Sequence, residues 1–303
     1  MKSSSQESSA PARRLIREAV VQLLHSDSSN PSAATETADP WPLILAQPEA
    51  TIVRTRARAV LHLQQNRPKR WEKARELAPN AMTLIGAFLE KTNAQRALRK
   101  LVESEDDVLE TLDLLRREIK SSKDIDAVSR TLARLRDGNQ ASFENLVVLL
   151  EHLSPAEAAP DPLRPLALVL PPLLESVRKL RGILSERNLP EGPELDALRK
   201  ALTTRDQLKQ EALTLHKLVT DNLRETDRLI GEKLENFSPE RLNQVDRAIL
   251  RLAATELRLV PDLPPAVAIN EAIEIARRFG DTESSSFVNG VLDRLKPAND
   301  PTN

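Results

Sequence analysis

Apolar positions recur at three- and four-residue steps along almost every long segment of this chain, the spacing of a single buried helix face. Leu15, Ile16, Ala19, Val20, Leu23 and Leu24 predict a first helix over residues 11–25. The Ser-, Pro-, Ala- and Thr-rich run that follows, through WP at 41–42, holds too little apolar surface to order itself and reads as a linker. Ile52, Val53, Ala57, Val60, Leu61 and Leu63 predict one further helix, and Met82, Leu84, Ile85, Phe88 and Leu89 another. Leu101, Val108, Leu112, Leu115 and Ile119, then Ile125, Val128, Leu132 and Leu135, predict a helical hairpin with coiled-coil character, bent at KSSKD. Glu105 interrupts the stripe of the first arm, and Asp137-Gly138-Asn139 reads as a helix stop. A proline-rich stretch over 155–172 separates this hairpin from a helix near 173–186.

The last hundred residues predict four helices, over about 205–234, 239–257, 265–279 and 284–295. Ser238-Pro239-Glu240 supplies a cap, a proline at the first helical position and an acid in the first turn. Gly280 reads as a left-handed helix stop and Ser284 as the cap of the last helix. The fold class expected is all-α.

Composition narrows the chemistry. At 303 residues the chain exceeds one ordinary core, so two domains or one domain with a large insertion is the expectation. Basic and acidic residues balance at 44 against 45, so attraction to nucleic acid has to come from a local face. With no cysteine there is no disulfide framework, zinc finger or thiol nucleophile. Seven glycines are too scattered for phosphate-cradling loops, and two Trp, five Phe and no Tyr argue against an aromatic stacking sheet. His25, His62, His152 and His216 are isolated, and no nucleophile–base constellation emerges, so no catalytic residues, metal or cofactor are expected. Neither a signal peptide nor a membrane span is evident, which points to a cytoplasmic protein.

Arg13, Arg14 and Arg17 fall near one side of the first helix, beside a Leu15/Ala19/Leu23 stripe, and guanidinium forks suit phosphate. A solvated, salt-bridged face is the plainer reading of such a run. Arg54, Arg56 and Arg58 form a second cluster. Asn270-Glu271 and Asn289-Gly290 read as structural pairs: the first tying backbone at a helix start, the second marking close approach of a neighbouring backbone.

The strings VDRAILRLAATEL (245–257), PPAVAINEAIEIARRFG (264–280) and SFVNGVLDRL (286–295) resemble the transcription antitermination factor NusB family. The resemblance extends back through 206–242 and resumes in ARRLIREAVVQLL (12–24), which looks like the Arg-rich first helix of that family. It implies an all-α bundle of two subdomains and an adaptor that pairs with NusE, a ribosomal small-subunit protein. Together they would bind single-stranded boxA-like RNA of ribosomal RNA transcripts within the RNA polymerase antitermination complex. Carried onto this sequence, the RNA surface would comprise Arg13, Arg14, Arg17, Ser284, Ser286, Phe287 and Asn289, with Asn270, Glu271, Gly280 and Gly290 as structural motif residues.

The expected layout is a tail over 1–10, the first helix over 11–25, linker and helical insertion over 26–204, the main family-like part over 205–297, and a tail over 298–303. Ser286 stands where the family usually has a basic residue and His25 where it has Tyr, and no counterpart of its short second helix is evident before the insertion. The alternative is a protein-interaction scaffold that keeps this fold with weak or no RNA binding.

Overall fold

The computed structural model describes residues 10–29, 41–88, 92–121, 124–185, 189–234 and 242–296, and every regular element among them is helical. Contacts divide the chain into two compact units: residues 1–46 with 203–303, and residues 47–202.

In the first unit, α1 spans Ala10–Ser29, α2 Trp41–Ile44, α8 Asp196–Asp221 from Thr203 onward, α9 Leu223–Lys233, α10 Gln244–Leu259, α11 Pro265–Phe279 and α12 Ser284–Asp293. Helix α10 is the hub and packs on α1, α9, α11 and α12. Its sequence suits that place. Ala248, Ile249, Leu250, Leu252, Ala253 and Ala254 are all buried, so the helix is apolar nearly all round instead of along one stripe. Around it close Ile16, Val20 and Leu24 of α1, Ile269 and Ala276 of α11, and Val288 and Leu292 of α12. Trp41 and Leu45 join the same core, so the end of the stretch that composition marks as linker packs into the first unit.

Several boundaries differ from expectation for local reasons. The 205–234 helix is two helices, broken at Asn222. Helix α10 starts at Gln244, where the Asn243 side chain accepts the Val245 amide at 3.0 Å; Ser238-Pro239-Glu240 lies outside the described residues. Gly280 is not left-handed: its φ of −86° and ψ of −175° are extended. A Cβ there would lie 2.5 Å from the Ser284 hydroxyl and 2.7 Å from the Ala276 carbonyl, so close packing demands the glycine. Gly290 reverses the other way. Nothing lies within 4 Å of a Cβ placed on it, and no backbone approaches it.

The second unit contains α3 (Ala46–Leu63, from its second residue), α4 (Arg67–Phe88), α5 (Thr92–Ser121), α6 (Ile125–Leu153), α7 (Arg164–Leu184) and the start of α8. Helices α5 and α6 pair extensively, and the α6 seam runs through Leu132, Leu135, Asn139, Ser142, Leu146, Leu149 and Leu153 at alternating three- and four-residue steps. Asp137-Gly138-Asn139 therefore does not stop the helix. Gly138 faces Asp107 and Val108, each 3.1 Å from the position of a Cβ, and Asn139 is buried. Glu105 is not a flaw in its stripe either. Fully buried, it takes both forks of the equally buried Arg67, which also donates to Asn139 Oδ1 at 2.8 Å. Helix α7 begins at Arg164, not near 173, and runs through Pro171 and Pro172.

Candidate nucleic-acid interface

Helix α1 presents its charges in two different ways. Its buried face is Ile16, Ala19, Val20, Val21 and Leu24, while Leu15 and Leu23 are only half-buried. Relative to the Leu15/Ala19/Leu23 stripe this face is turned by about one residue, roughly 100° on a helix of 3.6 residues per turn. That turn carries Arg17 inward. Its side chain is 7% exposed, and its Nε donates to both carboxylate oxygens of Glu256 on α10 at 2.9 and 3.0 Å. Arg17 is thus no phosphate ligand in this structure but a buried tie between α1 and the hub helix.

Arg13 and Arg14 stay on the surface. Arg14, 46% exposed, grips Glu271 of α11 through Nε at 2.9 Å and Nη2 at 2.8 Å. That hydrogen bond and the guanidinium charge hold the Glu271 carboxyl below the usual carboxylate range. The Nη1 edge of Arg14 remains outside this pair. A third pair, Arg278 Nη1 to Glu18 at 2.6 Å, again joins α11 to α1. Glu271 thus ties α11 to α1 through Arg14. Asn270 is exposed, and its amide makes no hydrogen bond among the described residues, so it does not tie neighbouring backbone.

On α12, Ser286 is exposed, Phe287 and Asn289 are half-buried, and Gly290 lies open beside them. Phe287 also packs against the core of the unit. Ser284 does not belong to that surface. It is 1% exposed, its hydroxyl accepts the Asp281 amide and donates to Asp281 Oδ1, each at 3.0 Å, and burial removes it from any RNA contact. The N-cap position is Glu283, and Asp281 just before it accepts the amides of Glu283 and Ser284 through Oδ1 at 3.1 Å. The Ser284 hydroxyl, then these amides, hold the Asp281 carboxyl below its ordinary value. Asp246 behaves oppositely: burial pushes its carboxyl up, and its Oδ1 has no hydrogen-bond partner. Glu256 is raised too, by burial that outweighs Arg17.

The rival cluster on α3 does not form one face. Residues two apart are turned about 200°, so Arg54 and Arg58 are exposed while Arg56 is buried. Among the described residues no group of three His, Asp or Glu could hold a metal, and no helix is long and apolar enough to cross a membrane.

Sequence reasoning missed Glu256 as the partner of Arg17, and Asp281 as the acceptor that fixes the turn before α12. The signal for the first was available in Ile16, Val20 and Leu24, a stripe at four-residue steps with Arg17 at its edge.

Comparison with known proteins bears on this first unit. The NusB family model matches residues 183–297. The transcription antitermination protein NusB of Thermotoga sp. is 45% identical over 93 residues, 31% of this chain and 66% of that protein. The NusB proteins of Syntrophotalea carbinolica and Bacillus subtilis are 48% identical over 90 residues and 47% over 78, covering 30% and 26% of this chain and 58% and 60% of theirs. The chain therefore spans less than two thirds of the length of these curated relatives. A solved T. maritima NusB is 40% identical, with 34% of this chain and 75% of that one covered at a TM-score of 0.30. Over residues 183–297 this chain carries a segment of the NusB family, and the rest of the chain is additional helical sequence.

Proposed function

We propose that the protein is a cytoplasmic, non-enzymatic adaptor in transcription antitermination. It pairs with NusE and binds single-stranded boxA-like RNA of ribosomal RNA transcripts in the RNA polymerase antitermination complex. The observation that carries this reading is the identity of 45–48% with proteins named for transcription antitermination, together with the match of the NusB family model to residues 183–297, which include α10, α11 and α12.

The RNA surface combines Arg13 and Arg14 at the start of α1 with Ser286, Phe287 and Asn289 of α12. Helices α1 and α12 both rest on α10. Arg14 takes a phosphate through the guanidinium edge that Glu271 leaves, or by exchanging that carboxylate for the RNA backbone. Ser286 offers a neutral hydroxyl, so the arginines of α1 supply most of the phosphate attraction. The salt dependence of RNA binding tests this. Arg13→Gln/Arg14→Gln should make the salt slope shallower by about 0.7 for each phosphate that is no longer neutralised on single-stranded RNA. A slope identical to the parent's would remove α1 from the interface.

A further inference from the structure

Helices α6 and α7 of the second unit enclose a cleft of about 290 Å³ lined by Arg136, Asn139 and Gln140 from α6 and by Arg181, Leu184 and Ser185 at the end of α7. Several arginines of the same unit are matched with acids, among them Arg134 with Asp107, Arg116 with Asp113, Arg164 with Asp161 and Arg199 with Asp196. Arg136 and Arg181 are not. Neither has a carboxylate partner among the described residues, and no carboxylate is among the described residues lining the cleft. Two like charges that converge on one cleft without a counter-charge repel each other, and an anion between them removes the repulsion.

Arg181 is also held in place. Its guanidinium carbon sits 4.6 Å from the centre of the Phe143 ring, a cation–π contact that fixes the group while its N–H donors remain in the guanidinium plane. Asn139 is immobilised behind it, accepting from Arg67 at 2.8 Å and donating to the Val177 carbonyl at 3.1 Å. Gln140 is tethered to Glu144 at 2.8 Å, which turns that carboxylate to its own helix. The cleft is thus a doubly cationic recess, one of its arginines held in place, with roughly ten times the volume share of one liquid water. That space accommodates a phosphate and the group attached to it.

We propose that this cleft is a phosphate-binding site, taking either a free phosphate or a phosphodiester of RNA between Arg136 and Arg181. It belongs to the second unit, and both arginines precede residues 183–297, the segment that the NusB family model matches.

The test uses the full-length chain, with inorganic phosphate followed by NMR of the arginine Nε–H signals and a single-stranded RNA oligonucleotide followed by anisotropy. Phosphate should bind saturably and perturb Arg136 and Arg181. Arg136→Gln/Arg181→Gln should weaken it about tenfold or more, the loss expected for charge-assisted hydrogen bonds. Arg134→Gln, which removes a partnered arginine, should leave it unchanged. Parallel loss of RNA affinity in the double variant identifies an RNA phosphodiester as the occupant; unchanged RNA affinity identifies a free phosphate or phosphorylated small molecule. Both arginines are exposed, so the variants should keep the parent's circular dichroism. No saturable phosphate binding by the parent, or equal binding by the folded double variant, overturns the proposal.

Discussion

Replacing Arg17 by Ala should destabilise the first unit severely and should not act as a selective RNA-binding lesion. Arg17 and Glu256 are 7% and 5% exposed and share two hydrogen bonds. Truncating the arginine leaves a carboxylate buried without its counter-charge, which typically costs about 3–5 kcal/mol. Against a domain stability of about 5–15 kcal/mol, the unit would remain folded but lose a large fraction of its margin. The apolar exchange Arg17→Met/Glu256→Leu removes both charges and should be neutral or up to about 4 kcal/mol stabilising, because two desolvation costs vanish with the pair. The two tryptophans make the assay specific to one unit, since Trp41 lies in the core of the first and Trp71 in that of the second. In a Trp71→Phe background, Trp41 fluorescence during urea unfolding should show Arg17→Ala lowering the midpoint by more than about 1 M, with the slope retained. Acid should shrink the difference, because a protonated Glu256 no longer needs the arginine. An Arg17→Ala protein with the parent's midpoint and a diminished RNA salt slope would refute the reasoning and return Arg17 to the RNA surface.

Gly290→Ala should stabilise by about 0.5–1 kcal/mol, because the added methyl meets nothing and the helix loses its glycine cost; Gly280→Ala should cost about 1–3 kcal/mol by crowding Ser284 and the Ala276 carbonyl; thermal melts check both. Glu271 and Asp281 are lowered, Glu271 by Arg14 and Asp281 by Ser284, and bind fewer protons folded than unfolded. Their stabilisation is therefore present above the ordinary carboxylate range and is lost as pH falls through their folded values. Asp246 is raised by burial, so its penalty exists only once it ionises: Asp246→Asn should raise the melting temperature near neutral pH, and that gain should vanish in acid. Deleting residues 47–202 behind a short flexible linker should leave a cooperatively folding unit, because its core draws only on residues within 12–45 and 208–295; a molten product by near-ultraviolet dichroism would contradict this.

Helix existence was legible wherever an apolar stripe stood alone, as in α11, which the pattern places over 265–279 and the structure forms at Pro265–Phe279. Phase was harder. In α1, Leu15 and Leu23 are as hydrophobic as Ile16 and Leu24, and only the docking of α10 decides which pair turns inward. Polar residues misled where they are buried in pairs. Glu105 and Asn139 look like interruptions until Arg67, far away in sequence, is seen to satisfy both. The glycines misled in both directions because a glycine's purpose depends on its neighbours: Gly280 serves a close contact with the next helix start, and Gly290 serves no packing contact at all. Trp41 was hidden by its company of prolines and small residues, although a lone tryptophan at the end of a polar run is a reason to expect a docking point.

The claim that this chain is an RNA-binding antitermination adaptor is tested most directly by one measurement. Anisotropy of a labelled boxA-containing RNA should be followed as the protein is added, with and without NusE, alongside a scrambled RNA. The account predicts saturable binding that NusE strengthens and that favours boxA over the scrambled sequence. Equal, NusE-independent affinity for both RNAs, or no binding to either, would contradict it.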